Sequence, residues 1–287
     1  MRIISLLPSA TEIIAGLGLT DQLVGVSHSC DSPNSVIKLP KVTSCRIPEN
    51  ISSQAIDDFV RSFASSPQAL YDLDIALMEV LQPDLVVSQA ICDVCAVDGK
   101  VADLAVRELS SRPELINLEP FSLDDILETI TQLGSVTGRE EQAASLVTNF
   151  KLRIERVKEN SKSRRGPPPR VIFLDWLIPP FVGGHWVPEM LSLAGFGPTL
   201  ITPGMPSRRA SWEEIMTCDP DIIIVACCGL IESEARRDIE LLHSKDRWFK
   251  LRAVREGNVH VLDGKQLFSR ASPRIIDSLE QLAQILN

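Results

Sequence analysis

The chain has 287 residues, 44% of them hydrophobic, so it can bury either one large core or two lobes of roughly 120 residues each. Its formal net charge of −9 and pI near 5.1 exclude nucleic acid and anionic membrane as main partners, and no segment reaches the ~20 apolar residues that membrane insertion needs. Seven cysteines, two of them adjacent at Cys227–Cys228, do not form a disulfide framework and point to a reducing compartment. The opening MRIISLLPSATEIIAGLG has an apolar run broken at Pro8 and no cleavage site, so it reads as a first strand. The expected location is cytoplasmic.

In chain order, RIISLL (2–7) is a continuous apolar strand, and Pro8-Ser9-Ala10-Thr11-Glu12 opens a helix that runs to Gly18. LVGVS (23–27) is a second strand, and the Pro-containing stretch 31–50 is loop-like. Helical periodicity covers 51–63 and 72–81, DLVVS (84–88) is a third strand, 98–109 a helix and ELINLEP (114–120) a fourth strand. A short helix from Ser122 to about Gly134 precedes the longest one-sided stretch, 137–163. There Thr137 and Glu140 have the form of a capping box, and Ala143, Ala144, Leu146, Val147, Phe150, Ile154 and Val157 form one apolar stripe. At 1.5 Å per residue this helix would span roughly 36 Å, the length of a strut between two lobes.

After SRRGPPPR (163–170) the scheme restarts. RVIFLDW (170–176), DIIIVACC (221–228) and NVHVLD (258–263) read as strands, and 188–193, 211–219, 231–243 and 273–286 as helices. Continuous apolar strands alternating with helices predict mainly parallel sheets flanked by helices. The expected organisation is an N-terminal α/β lobe (1–121), connecting helices including the long bridging helix (122–165), and a C-terminal α/β lobe (166–287), with a ligand cleft between the lobes.

In open α/β sheets, ligands gather outside the carboxyl ends of the strands, where loops converge and helix N-termini point. The chemically distinctive residues fall after strands repeatedly. They are Pro8, Ser9 and Thr11; His28 and Cys30; Cys92 and Cys95 in CDVC; Trp176; His185 and Trp186 in GGHW; Cys227; and Phe268 with Arg270. Trp176, Trp186 and Trp212 could floor a planar ligand or lie in the core. His28, Cys30, Cys92 and Cys95 could hold zinc or iron, with Cys227 or Cys228 completing the set, or form a thiol-redox site, or could be small buried packing residues. There is no GxGxxG after a strand, no P-loop and no GxSxG, and Asp175 at a strand end has no evident partner. No enzymatic activity is expected.

RIISLLPSATEIIAGLGLTDQLVGVSHSCDSP, LDIALMEVLQPDLVVSQ, TGREEQA and PSRRASWEEIM together resemble the class III periplasmic binding proteins, which bind cobalamin, haem or ferric siderophores for ABC importers. The resemblance covers nearly the whole chain and is closest to the cobalamin branch. It implies two α/β lobes, one bridging helix and a corrinoid (cobalamin) or related metal chelate as small-molecule ligand. It also implies an ABC transporter partner. Independently of the resemblance, a monomer or weak dimer is expected. By motif it assigns ligand contacts to Pro8, Ser9, Thr11, Trp176, His185 and Trp186. SHSC, CDVC, GGHWVPEM and FSRASPR are similar to a subgroup without a leader. The Cys-rich loops depart from the transported-ligand proteins.

Overall fold

The structure is a computed structural model that describes residues 1–48, 51–63, 70–89, 97, 99–242 and 246–286. Elements follow the order β1 (Ile3–Ser5), α1 (Pro8–Gly16), β2 (Leu23–Val26), β3 (Thr43–Cys45), α2 (Ser53–Phe63), β4 (Tyr71–Leu73), α3 (Ile75–Leu81), β5 (Leu85–Gln89), α4 (Gly99–Glu108), β6 (Glu114–Leu118), α5 (Leu123–Val136) and α6 (Glu140–Lys162). They continue with β7 (Val171–Leu177), β8 (Pro180–Val182), α7 (Val187–Ala194), β9 (Arg208–Arg209), α8 (Trp212–Cys218), β10 (Ile222–Val225), α9 (Glu232–Leu242), α10 (Asp246–Lys250), α11 (Arg252–Arg255), β11 (Val259–Val261) and α12 (Ile275–Ile285).

The chain divides into two compact units. The first comprises 1–51, 58–120 and 124–148, and the second 52–57, 121–123 and 149–287. Helix α6 is continuous, with residues up to Thr148 in the first unit and those from Asn149 in the second.

In the first unit, β2-β1-β5-β6 form a wholly parallel sheet. Strand β1 is buried along its length, as a central strand covered on both faces must be. Pro8 opens α1, where its missing N–H costs nothing and its fixed φ suits a helix. Ile4, Leu6, Val42, Met78, Val86, Ala102 and Leu109 make one core cluster. At Gly25 a Cβ would lie 2.8 Å from Leu81 and 2.9 Å from Val42, so glycine lets α3 and the 42 region close onto β2.

In the second unit the order is β11-β10-β7-β8-β9, with β11, β10 and β7 parallel and the β8–β9 edge antiparallel. Its core gathers Ile172, Leu174, Ile223, Val225, Cys227, Trp248 and Leu251. Trp212 packs edge-on against Trp248, with centroids 6.0 Å apart. Helix α8 begins at a full capping box: Ser211 accepts from the Glu214 N–H at 3.1 Å and Glu214 accepts from the Ser211 N–H at 2.9 Å.

Several local expectations are corrected. Thr137 and Glu140 do not form a capping box. The Thr137 hydroxyl turns back to the Leu133 carbonyl at 2.5 Å, and Gly138, at φ +64°, closes α5 in the left-handed conformation. Residues 72–81 are not one helix. Tyr71–Leu73 pair antiparallel with Thr43–Cys45, and α3 starts only after Asp74, whose carboxylate caps the Leu77 N–H at 2.8 Å. The stripe on α6 is narrower than expected. Ala143, Phe150 and Val157 are buried at seven-residue steps, while Ala144 is exposed. In the second unit Arg153 of α6 donates to Glu280 of α12 at 2.8 and 2.6 Å and to Asp277 at 2.6 Å.

The turn between α5 and α6 is tight, and a Cβ on Gly134 would sit 2.4 Å from that of Ala143. For Gly134→Ala, helix propensity favours alanine by about 1 kcal/mol, whereas overpacking costs typically 1–3 kcal/mol. Overpacking should win by up to about 2 kcal/mol, read as a lower urea midpoint at unchanged slope. A midpoint at or above that of the parent protein would show that the two helices can separate freely.

Candidate ligand-binding site

In the first unit the loop after β1 is held by a chain of hydroxyls. Thr11 is completely buried and donates to Ser5 at 2.8 Å, and Ser5 donates to the Leu7 carbonyl at 2.9 Å. Thr11 Oγ1 also lies 3.1 Å from Cys30 Sγ. With its proton already given to Ser5, Thr11 can only accept, so Cys30 carries its proton. Burial pushes the Cys30 thiol up from its ordinary pKa, which agrees with that direction. Ser9 is buried and Pro8 half-buried beside it. After β2, half-buried His28 stacks on Tyr71 with centroids 5.6 Å apart and meets Thr43 Oγ1 through Nδ1 at 2.7 Å. Lys41 donates to the Cys30 carbonyl at 2.9 Å. Desolvation, followed by the Lys41 charge, lowers the His28 pKa.

In the second unit, His185 lies in a loop that is tied down by its backbone. Its φ is +53°, a left-handed conformation uncommon for a residue with a side chain. The His185 N–H donates to the Met205 carbonyl at 2.6 Å, and the Gly204 N–H donates to the His185 carbonyl at 2.9 Å. A Cβ on Gly184 would stand 2.3 Å from the Met205 oxygen and 2.5 Å from Pro206 and Ser207 backbone atoms, so only glycine fits there. The imidazole is half-buried, with Phe121 stacked at 6.0 Å and Trp186 tilted at 5.7 Å. Among the described residues neither ring nitrogen has a hydrogen-bond partner, and burial lowers the pKa, favouring the neutral base.

Trp186 is buried and donates from Nε1 to the Phe268 carbonyl at 3.2 Å, while Phe268 packs on Phe173 at 5.1 Å. Trp176 is half-buried against the core and donates to the Ile178 carbonyl at 3.2 Å. Cys227 is wholly buried in the core, where desolvation first and the nearby Asp238 and Asp175 next raise its thiol pKa. Gly264 explains how Cys227 is enclosed, since a Cβ there would fall 2.1 Å from the Cys227 oxygen. Arg270 is buried as well.

The structure therefore brings His185, Trp186 and Phe268 into one connected set, Thr11 with Cys30 into a second, and His28 with Thr43 and Tyr71 into a third. Cys92 and Cys95 lie outside the described residues. Among the described residues no group of three or more His, Cys, Asp or Glu is arranged to hold a metal. Phe121, Tyr71, Thr43 and the 204–207 loop belong to these sets and were missed by sequence reasoning. Only the Gly-Met-Pro-Ser run (204–207) offered a local signal.

Two α/β units, each presenting anchored loops at the carboxyl ends of parallel strands and sharing one continuous helix, define the class of a solute-binding protein. Residues 3–266 match the family described as "Periplasmic binding protein", and the chain belongs to that family, which binds solutes and does not transform them. It is 23% identical to the uncharacterized ABC transporter substrate-binding lipoprotein YvrC of Bacillus subtilis (strain 168), over 99% of this chain and 79% of that protein. Identity to the vitamin B12-binding protein of Vibrio cholerae serotype O1 is also 23%, over 99% of this chain and 88% of the other. The apo periplasmic heme-binding protein RhuT of Roseiflexus sp. RS-1 shares the fold, with a TM-score of 0.69 at 21% identity over 99% of this chain and 97% of that one.

These relatives overturn the expectation of a cytoplasmic protein, because they are lipoprotein or periplasmic substrate-binding proteins. The expectation leaned on free cysteines as a sign of a reducing compartment. Burial itself shields Cys30 and Cys227, which are 3% and 0% exposed, whereas Cys45, Cys218 and Cys228 are free and half-buried, so unpaired cysteines by themselves do not fix the compartment.

Asp175, passed over in the sequence for want of a partner, is hydrogen-bonded to Ser207, and desolvation raises its pKa to about 6. A folded-state pKa above the ordinary 3.8 means that the folded protein takes up a proton between these values, so Asp175 lowers stability as pH rises through that window. The displacement corresponds to at most about 3 kcal/mol, an upper bound because the residue keeps part of its surface in water. Asp175→Asn should therefore gain stability relative to the parent between pH 4 and 6, measured by denaturation at each pH. Parallel stability curves for the two proteins would show that Asp175 is ionised in the fold like any surface carboxylate.

Proposed function

We propose that this protein is the substrate-binding component of an ABC importer and that its solute is a corrinoid, with His185 supplying a nitrogen to the cobalt. The observation that carries this reading is the His185 imidazole itself. It is half-buried, free of hydrogen-bond partners at both ring nitrogens among the described residues, and fixed by a left-handed backbone that Met205 and Gly204 clamp. A neutral imidazole held in this way is a ready axial ligand for a metal in a planar macrocycle. Phe121 and Trp186 beside it supply flat apolar surface of the kind that covers such a ring. Kinship with the vitamin B12-binding protein of Vibrio cholerae favours a corrinoid over haem, and kinship with the lipoprotein YvrC supports the transporter role.

Titrating the protein into aquacobalamin should shift the visible spectrum as imidazole replaces water. His185→Ala should abolish that shift and weaken binding about tenfold or more, on the order of 1.4 kcal/mol. Because burial lowers the pKa of His185, a proton should not displace the metal between neutral pH and 6.5, and the shifted spectrum should fade only below that. Absence of both heat and spectral change with aquacobalamin would exclude the corrinoid, and a Soret shift with hemin instead would reassign the solute to haem.

A further inference from the structure

His28 and His185 differ in a way that the sequence does not show. His185 has both ring nitrogens unbonded among the described residues, whereas His28 has Nδ1 committed to Thr43 Oγ1 at 2.7 Å. The same Oγ1 already accepts the His28 backbone N–H at 2.9 Å. Thr43 is buried, and among the described residues its hydroxyl hydrogen has no acceptor other than His28 Nδ1. If Nδ1 carried the ring hydrogen, two N–H groups would point at one oxygen and a buried O–H would be orphaned, an arrangement that costs free energy. With the hydroxyl donating to Nδ1, every group in this contact is satisfied. The ring hydrogen then resides on Nε2, on the side of the ring away from Thr43, and Tyr71 holds the ring plane by stacking at 5.6 Å and 27°.

We propose that His28 is a specificity-determining hydrogen-bond donor and not a metal ligand: Thr43 fixes its tautomer so that Nε2–H is offered to an oxygen acceptor on the bound solute. An Nε2 that bears hydrogen has no lone pair to give a metal, and Nδ1 is occupied by Thr43, so the ring can only donate outward. The two histidines thus take opposite chemistry, a bare nitrogen at 185 and an N–H at 28. That the acceptor is a carbonyl oxygen of the amide side chains rimming a corrin rests on the corrinoid reading above. The tautomer does not.

Long-range proton–nitrogen NMR of imidazole-labelled full-length protein, without any solute, reads the tautomer directly. The expected pattern for His28 is a protonated Nε2 and a bare Nδ1, and Thr43→Val should shift it toward a mixture of tautomers. A protonated Nδ1 with bare Nε2 in the parent protein would overturn the proposal whatever the solute proves to be. For the acceptor, cyanocobalamin affinity is measured for His28→Ala, which removes the donor, and for His28→Gln, whose amide nitrogen reaches nearly the position of Nε2. The alanine variant should bind about tenfold more weakly and the glutamine variant within about threefold of the parent. Equal affinity for all three proteins would overturn the donor role. Failure of the parent to bind cyanocobalamin would remove the corrinoid reading and the donor role toward it together, while the NMR pattern would still decide the tautomer.

Discussion

The constraint on which the second unit depends is close approach of backbone to backbone at two glycines. Gly184 lies against the 205–207 segment and Gly264 against Ala226 and Cys227, at separations no Cβ could occupy. Each contact locks a strand-end loop to its neighbour, and together they fix the His185 backbone and the Trp186–Phe268 hydrogen bond. If His185 meets a solute as proposed above, any order its loop lacked beforehand would weaken affinity. Here packing and main-chain hydrogen bonds supply that order in advance. The left-handed His185 is part of the same device, since a conformation costing of order 1 kcal/mol persists only where its surroundings over-determine it.

The chemistry along these loops is governed by retained protons. Burial raises the thiols of Cys30 and Cys227 and the carboxyl of Asp175, and it lowers the imidazoles of His28 and His185. In every case the neutral form gains, because taking a charge out of water costs more than these surroundings return. Of the residues whose types suggested a thiolate metal centre, His28, Cys30 and Cys227 are each shifted toward the neutral form by burial.

In the first unit, direction is set by hydroxyls. Cys30, Thr11 and Ser5 form a chain of donors ending on the Leu7 carbonyl, and Thr43 serves both the backbone and the ring of His28. Such chains carry no net charge, yet they decide which atoms bear hydrogen. Small alcohols placed among buried strands thereby set the chemistry of larger side chains nearby. This also explains why Thr11, although in the opening motif, is buried and structural in its contacts.

Much of the architecture was legible in the residues alone. Apolar runs such as Ile3–Ser5, Leu85–Gln89 and Ile222–Val225 mark parallel strands because both faces of such strands are buried, and periodicity located helices α5, α6 and α12. The opening and 84–88 motifs carried the family. Less was legible where short pieces depend on partners far along the chain. Thr43–Cys45 and Tyr71–Leu73 are strands only because they pair with each other, and β8 and β9 only because they extend β7. Thr137 was misassigned because a hydroxyl can cap the helix ahead or close the one behind, and local sequence does not choose. The sequence by itself determined the fold class and which residue types stand after the strands, since burial pattern and period are local properties. Only the tertiary structure decided which of them are bare, protonated or buried, because hydrogen-bond partners such as Thr43 for His28 and Ser207 for Asp175 come from elsewhere in the chain.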